Sequence, residues 1–244
     1  MNRQQISWLV AALAVLALPA QAQDPAQEDP APDLLTIWPD DRVFGNSDAP
    51  VTIFEFSSLT CPHCAAFHID TLPEVKSELI DAGLANLVIR HFPLDQLAMN
   101  AALVAECVPP GQYYSFIDVL YTTQADWAGS DDPMQTILRT AMLAGVPEGS
   151  LRACMEDEAV LNGILAVRLR AQTELGITST PTFFVGGEMI RGAQPYDVFA
   201  EAVETAAAAA PAEEPAAQAE PESQPEPESP AEPESQPEPE DTTE

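Results

Sequence analysis

The stretch Val51-Thr52-Ile53-Phe54-Glu55-Phe56-Ser57-Ser58-Leu59-Thr60-Cys61-Pro62-His63-Cys64 decides the fold. Its first six residues are β-branched or aromatic apart from Glu55, and Ala49-Pro50 and Ser57-Ser58 bound them, which is the pattern of a strand. Behind Thr60 a helix is expected through Ala65-Ala66-Phe67 toward Ala82-Gly83, bent at Pro73. Leu87-Val88-Ile89-Arg90-His91-Phe92 reads as the next strand, stopped by Pro93. A helix between two strands makes a βαβ unit, so these strands are expected to run parallel. A Cys-x-x-Cys at the point where the first strand hands over to the helix is the placement of a redox dithiol.

Outward from this unit, helical spacing dominates from about residue 95 to 176. Leu97, Ala101, Val104 and Ala105 recur at that spacing, as do Phe116, Val119 and Leu120, then Ile137, Leu138, Ala141 and Met142, then Val160, Ile164, Val167 and Leu175. Leu161, Leu165 and Leu169 lie beside the last set. Thr182-Phe183-Phe184-Val185 and Glu188-Met189-Ile190-Arg191 read as two strands joined by a hairpin at Gly186-Gly187. Pro195 opens a final helix through Phe199, Ala202 and Val203. The order is β-α-β, a helical block, then β-β-α.

The ends of the chain are of a different kind. Arg3, an apolar run from Ile6 to Leu18 and Ala20-Gln21-Ala22 read as a secretory signal peptide over residues 1–22, expected to be cleaved after Ala22; an uncleaved membrane anchor is the alternative, for which the run is short of the ~20 residues a span takes. Residues 23–41 read as a flexible Pro/Ala/Asp leader, and residues 207–244 as a disordered Pro/Glu-rich tail holding EPESQPEPE at 220–228 and again at 232–240. The formal net charge is −30, yet 18 of the 39 acids fall in residues 23–41 and 211–244, leaving a net of −13 on residues 42–206. With nine Lys and Arg in all, the chain has little cationic surface to offer nucleic acid or an anionic membrane. An exported protein works where disulfides persist, and a periplasmic location is expected.

The chemistry rests on Cys61-Pro62-His63-Cys64. Cys61 falls at the first turn, where free backbone N–H groups and the helix dipole favour a thiolate, and a protonated His63 would add to that. A stabilised thiolate is a good leaving group, so a Cys61–Cys64 disulfide is readily passed on. Zinc is the main alternative for Cys-x-x-Cys. It needs a second pair of ligands, and no second Cys-x-x-Cys or His-x-x-x-His exists in the chain. A purely structural disulfide is the other alternative. No metal and no dissociable cofactor are implied.

Cys61-Pro62-His63-Cys64 and Ser179-Thr180-Pro181-Thr182-Phe183-Phe184-Val185-Gly186-Gly187, about 120 residues apart, closely resemble the active-site tetrapeptide and the cis-proline strand of DsbA-type thiol:disulfide oxidoreductases. The resemblance covers residues 42–206 and implies an α/β thioredoxin-like fold with an inserted helical domain. It implies that Cys61 is the nucleophile, Cys64 the resolving cysteine, and Pro62 and His63 the residues that set the redox poise. Pro181 would follow a cis peptide bond and face the dithiol, with the Thr180 backbone pairing with an extended substrate. An acid below the active-site helix helps move the resolving thiol's proton in this family, which implies that role for Glu55. Alternation puts Glu55 on the face of Ile53, opposite Phe54 and Phe56, so an outward-facing carboxylate stays open as the alternative. Some relatives carry an extra disulfide in the insertion, which implies a Cys107–Cys154 bond. Two free buried thiols are the alternative.

The expected activity is dithiol oxidation of reduced, unfolded exported proteins by a monomer. A DsbB-type membrane quinone reductase would reoxidise it. A reductase or isomerase of the same fold, or a redox-inactive binding protein, are the competing readings. Isomerases of this kind bring a further dimerisation domain, and only about twenty mostly polar residues separate the signal peptide from the fold. His68 is expected at the surface or as a cap, His91 is given no role, and Trp38 and Trp127 are expected to pack.

Overall fold

The computed structural model describes residues 33–209. The expected signal peptide, the first part of the leader and the repeat tail lie outside the described residues. Five strands form one mixed sheet: β1 (Val43–Phe44), β2 (Val51–Ser57), β3 (Ala85–His91), β4 (Thr182–Val185) and β5 (Glu188–Arg191), in the order β1-β3-β2-β4-β5. β2 and β3 are parallel, with Glu55 opposite Ile89, and β4 runs antiparallel to β2, with Phe183 opposite Glu55. The two-residue β1 pairs antiparallel with β3 and is too short to leave a pattern in the sequence. β4 and β5 turn back through Gly186 and Gly187, whose φ values of 57° and 88° suit glycine. A Cβ on Gly186 would also meet that of Ala206 at 2.4 Å, so the last helix packs directly on the turn.

Alternation along the central strands separates two apolar layers. Val51, Ile53, Leu87, Ile89, Phe183 and Val185 face one side, and Phe54, Phe56, Val88 and Phe184 face the other. The first side is covered by α1, a continuous helical run over residues 62–80, and by α8 (Tyr196–Ala209) through Phe199, Ala202 and Val203. Proline explains part of the shape of α1. Pro73 has no N–H to return to the preceding turn, and the helix widens into a π turn at Phe67–Thr71, where Leu72 N–H reaches the carbonyl of Phe67. The run ends in Gly83 at φ 74°.

Six helices make the insertion: α2 (Gln96–Glu106), α3 (Pro110–Thr122), α4 (Gln124–Ala128), α5 (Pro133–Leu143), α6 (Glu148–Met155) and α7 (Glu158–Glu174). Their apolar faces, with Tyr113, Phe116, Leu120, Tyr121, Trp127 and Ile137, continue the core of the first side. Cys107, just after α2, is bonded to Cys154 of α6. α7 returns across the second side of the sheet through Ala171. The fold is thus the thioredoxin-like α/β sheet with an inserted helical domain.

The packed chain begins before Arg42, in a segment assigned above to the leader. Leu34 is 1% exposed within the second apolar layer. Asp41 pairs with the buried Arg90 of β3, whose guanidinium also donates to the Thr36 carbonyl and lies 3.7 Å from the Trp38 ring centroid. A buried guanidinium needs a counter-charge, and residues 33–41 supply it.

Candidate active site

β2 ends at Ser57, and four residues later Cys61 is the N-cap of α1, with Pro62 as the first helical residue. Proline suits that position because its missing N–H has no helical partner to lose there. The turn is held from two sides. Cys61 N–H donates to the Ser58 carbonyl at 3.0 Å. From α4, the buried amide of Gln124 donates to the carbonyls of Leu59 and Cys61 at 2.8 and 3.1 Å. Thr60 also donates to Asp95, the residue that caps α2.

Both cysteines are free, and both are buried, Cys61 at 6% and Cys64 at 0% exposure. They titrate in opposite directions. The Cys61 thiol is brought down to about 5 by a hydrogen bond from Cys64, then by the Thr180 side chain and the backbone N–H groups of Cys64 and His63, against the effect of burial. Burial pushes the Cys64 thiol far up, and the hydrogen bond to Cys61 and the Glu55 charge push it the same way. The His63 ring is exposed, and what reaches Cys61 from that residue is its backbone N–H.

The Thr180–Pro181 peptide bond is cis. Thr180 faces the dithiol, its carbonyl accepting from Cys61 Sγ at 3.3 Å. Thr182 Oγ1 donates to the Ser179 carbonyl and so closes the same loop.

Glu55 lies fully buried beneath α1, on the inner face rather than the outer one. Its partner is a residue expected at the surface from its place in the sequence. His68 is 3% exposed, and its Nε2 lies 3.2 and 3.1 Å from the two carboxylate oxygens of Glu55. The expectation failed because position 68, one turn beyond Cys64, is on the inner side of α1, where Tyr121 of α3 stacks on the imidazole at 4.1 Å. Tyr121 OH in turn pairs with Ser57 Oγ at 2.6 Å, and Ser57 also bonds to Cys64. The spacing Cys64 to His68 was the one available signal. Nothing in the sequence pointed to Ser57, Tyr121 or Gln124.

His91, given no role above, is buried between Tyr113 OH at 3.1 Å and Glu106 at 3.3 Å. Burial raises the Glu106 carboxyl, but the hydrogen bond and charge of His91 and the charge of Arg42 outweigh it, and the group falls to about 2. Among the described residues no cluster of three His, Cys, Asp or Glu side chains is arranged to hold a metal ion. No helix among them is long and apolar enough to cross a membrane.

The thioredoxin family model matches residues 38–205. A Rickettsia felis protein named as a protein-disulfide oxidoreductase is 28% identical over 172 residues, covering 69% of this chain and 61% of that protein. Disulfide bond formation protein D of Bacillus subtilis is 25% identical over 174 residues, covering 66% of this chain and 75% of its own. The solved structure of α-DsbA1 from Wolbachia pipientis matches with a TM-score of 0.67 and 27% identity, over 72% of this chain and 96% of that one. The chain spans less than two thirds of the length of the Rickettsia relatives it matches.

Proposed function

This chain belongs to the thioredoxin family, and from that premise we propose that it is a thiol:disulfide oxidoreductase acting as a dithiol oxidase. The observation that carries the reading is the split between the two cysteines, one thiol held down to about 5 and the other buried and held up. A substrate thiolate attacks Cys61 Sγ of the Cys61–Cys64 disulfide. The intramolecular S–S bond breaks, Cys64 leaves and takes a proton, and Cys61 is joined to the substrate. A second substrate thiolate then attacks the substrate sulfur of that mixed disulfide and expels Cys61 as its thiolate. The substrate is oxidised to a disulfide and the protein dithiol is reduced. A leaving thiolate of low pKa speeds the last step and stabilises the reduced form, which favours oxidase over reductase.

Pro62 and His63 shape the turn that sets this poise. Thr180 and Pro181 form the wall along which an extended substrate segment would run, pairing with the Thr180 backbone. The clients we propose are reduced, unfolded exported proteins. The reoxidant is a membrane quinone reductase of the DsbB type, and the site of action is the periplasm after removal of residues 1–22. The protein is proposed to act as a monomer. Its likeness in sequence and fold to α-DsbA1 supports the redox reading over that of an inactive binding protein. The test is disulfide transfer to a reduced, unfolded substrate. Cys61→Ser and Cys64→Ser are each expected to abolish transfer, because neither variant can form the disulfide that is passed on. Unchanged transfer by Cys61→Ser contradicts the proposal.

A further inference from the structure

The inner side of α1 carries a polar arrangement that thiol exchange at Cys61 does not by itself require. Glu55 and His68 are both fully enclosed, and their contact is two-pronged, one imidazole nitrogen facing both carboxylate oxygens. His68 Nδ1 is buried and has no hydrogen-bond partner among the described residues. The ring is fixed on both sides, stacked on Tyr121 and meeting the Phe67 ring edge-on at 5.5 Å. Such a ring offers one nitrogen, Nε2, in one direction, toward Glu55. A carboxylate in an apolar interior is driven to its neutral form unless a donor holds the charge. Within the described residues, the Nε2 contact is the hydrogen bond to the Glu55 side chain.

We propose that His68 is a positioning residue of the exchange reaction: it holds Glu55 ionised and aimed, so that this carboxylate takes the proton Cys64 gives up when the Cys61–Cys64 disulfide re-forms. The inference rests on the exchange activity proposed above and adds a residue to it. The step balances as follows. The Cys61 thiolate has attacked an oxidant disulfide and is joined to one of its sulfurs. Cys64 S–H passes its proton to Glu55, and the Cys64 sulfur attacks Cys61 Sγ. The Cys61–Cys64 bond forms, and the oxidant's sulfur leaves with the electron pair as a thiolate. Two protein thiols are oxidised and one oxidant disulfide is reduced. The proton stays on the Glu55–His68 pair until Cys64 next leaves and takes it back.

The other ionisable groups that meet the pair are Cys64 on α1 and Tyr113, Tyr114 and Tyr121 on α3, with His91 of β3 and Glu106 of α2 beyond Tyr113. Burial holds all three phenols neutral. The acid–base work near Cys64 therefore falls to Glu55 and the residue that holds it.

The experiment follows one turnover of the full, reduced protein mixed with glutathione disulfide, quenched in acid and read by mass, between about pH 5 and pH 9. Decay of the Cys61–glutathione intermediate reports the Cys64 step. His68→Phe fills the stacked position but donates nothing. It is expected to slow this decay by about tenfold or more near pH 7 and to move the rising limb of its profile to higher pH. His68→Gln places an amide nitrogen near the position of Nε2 and is expected to recover most of the rate. The ultraviolet titration of the Cys61 thiolate is expected to stay where it is in both. If His68→Phe does not fold, the double variant Glu55→Gln, His68→Phe removes the stranded charge and is expected to match Glu55→Gln alone. A wild-type profile in His68→Phe overturns the proposal, as does a His68→Gln as slow as His68→Phe, or a double variant slower than Glu55→Gln. Failure of the wild-type protein to form the Cys61–glutathione intermediate overturns the exchange reading itself, a separate outcome.

Discussion

At the scale of the residue, the two cysteines differ because one sees donors and the other sees burial. Cys61 gathers a thiol, the Thr180 side chain and two backbone N–H groups, whereas Cys64 is enclosed beside an acid. The sign of the stability linkage follows. Cys61 is an acid whose folded pKa is depressed, to about 5 from 9.0, so its contribution to the reduced protein is complete above about pH 9 and is lost as pH falls through about 5. Cys64 is shifted the other way, so its contribution is present below about pH 9 and declines only above that. Between about pH 5 and pH 8 the reduced protein should therefore gain on the order of a few kcal/mol relative to the oxidised one. Urea unfolding of both forms across that range measures the gap. In Cys61→Ala the reduced protein should lose this rise, and a gap that does not vary with pH contradicts the assignment of the shift to Cys61.

At the scale of the element, the turn between β2 and α1 is held by the insertion as much as by its own residues. Gln124 is the link, because its amide donates to the Leu59 carbonyl and adds a second donor to the Cys61 carbonyl, which already accepts from Ala65 N–H. Gln124→Leu keeps most of the bulk and removes the donors. The expected cost is about 1–3 kcal/mol of unfolding free energy, since the Leu59 carbonyl loses its donor while that of Cys61 keeps the Ala65 N–H. Chemical denaturation measures it, and a loss below about 0.5 kcal/mol would mean that the turn finds other partners. This link was not legible in the sequence. Gln124 is 63 residues from Cys61, and a lone glutamine carries no periodic signal. The elements themselves were far more legible. Strand β2, the helix behind Thr60, the parallel β3 and the β4–β5 hairpin follow from β-branched runs, the Cys-x-x-Cys position and the Gly-Gly turn. The two-residue β1 did not, nor did the π turn at Phe67–Thr71, which arises from local hydrogen-bond geometry ahead of Pro73. On α7, Leu165 and Leu169 fit helical spacing but stay 42% and 60% exposed, because the face of that helix turned to the protein carries Ile164, Val167 and Ala171.

At the scale of the whole molecule, a strongly acidic chain encloses a dithiol site whose buried carboxylate, Glu55, is paired with His68. The formal charge of −30 suggested a protein dominated by charge, yet nearly half of the acids lie in residues 23–41 and 211–244. Part of that leader belongs to the fold, since Asp41 neutralises Arg90 and Trp38 covers it. The boundary was missed because proline and acid content describe the segment as a linker, while the reason it packs is a buried arginine on a strand almost fifty residues away. The dithiol and the proline loop, by contrast, could be read directly, because each is a short motif with fixed spacing. What they cannot fix from sequence is the direction of the chemistry. The equilibrium of the Cys61–Cys64 pair in glutathione buffers at about pH 7 measures that direction. An oxidase gives an oxidising potential, between about −180 and −120 mV, and a value near about −270 mV would make the protein a reductant and refute the oxidase reading.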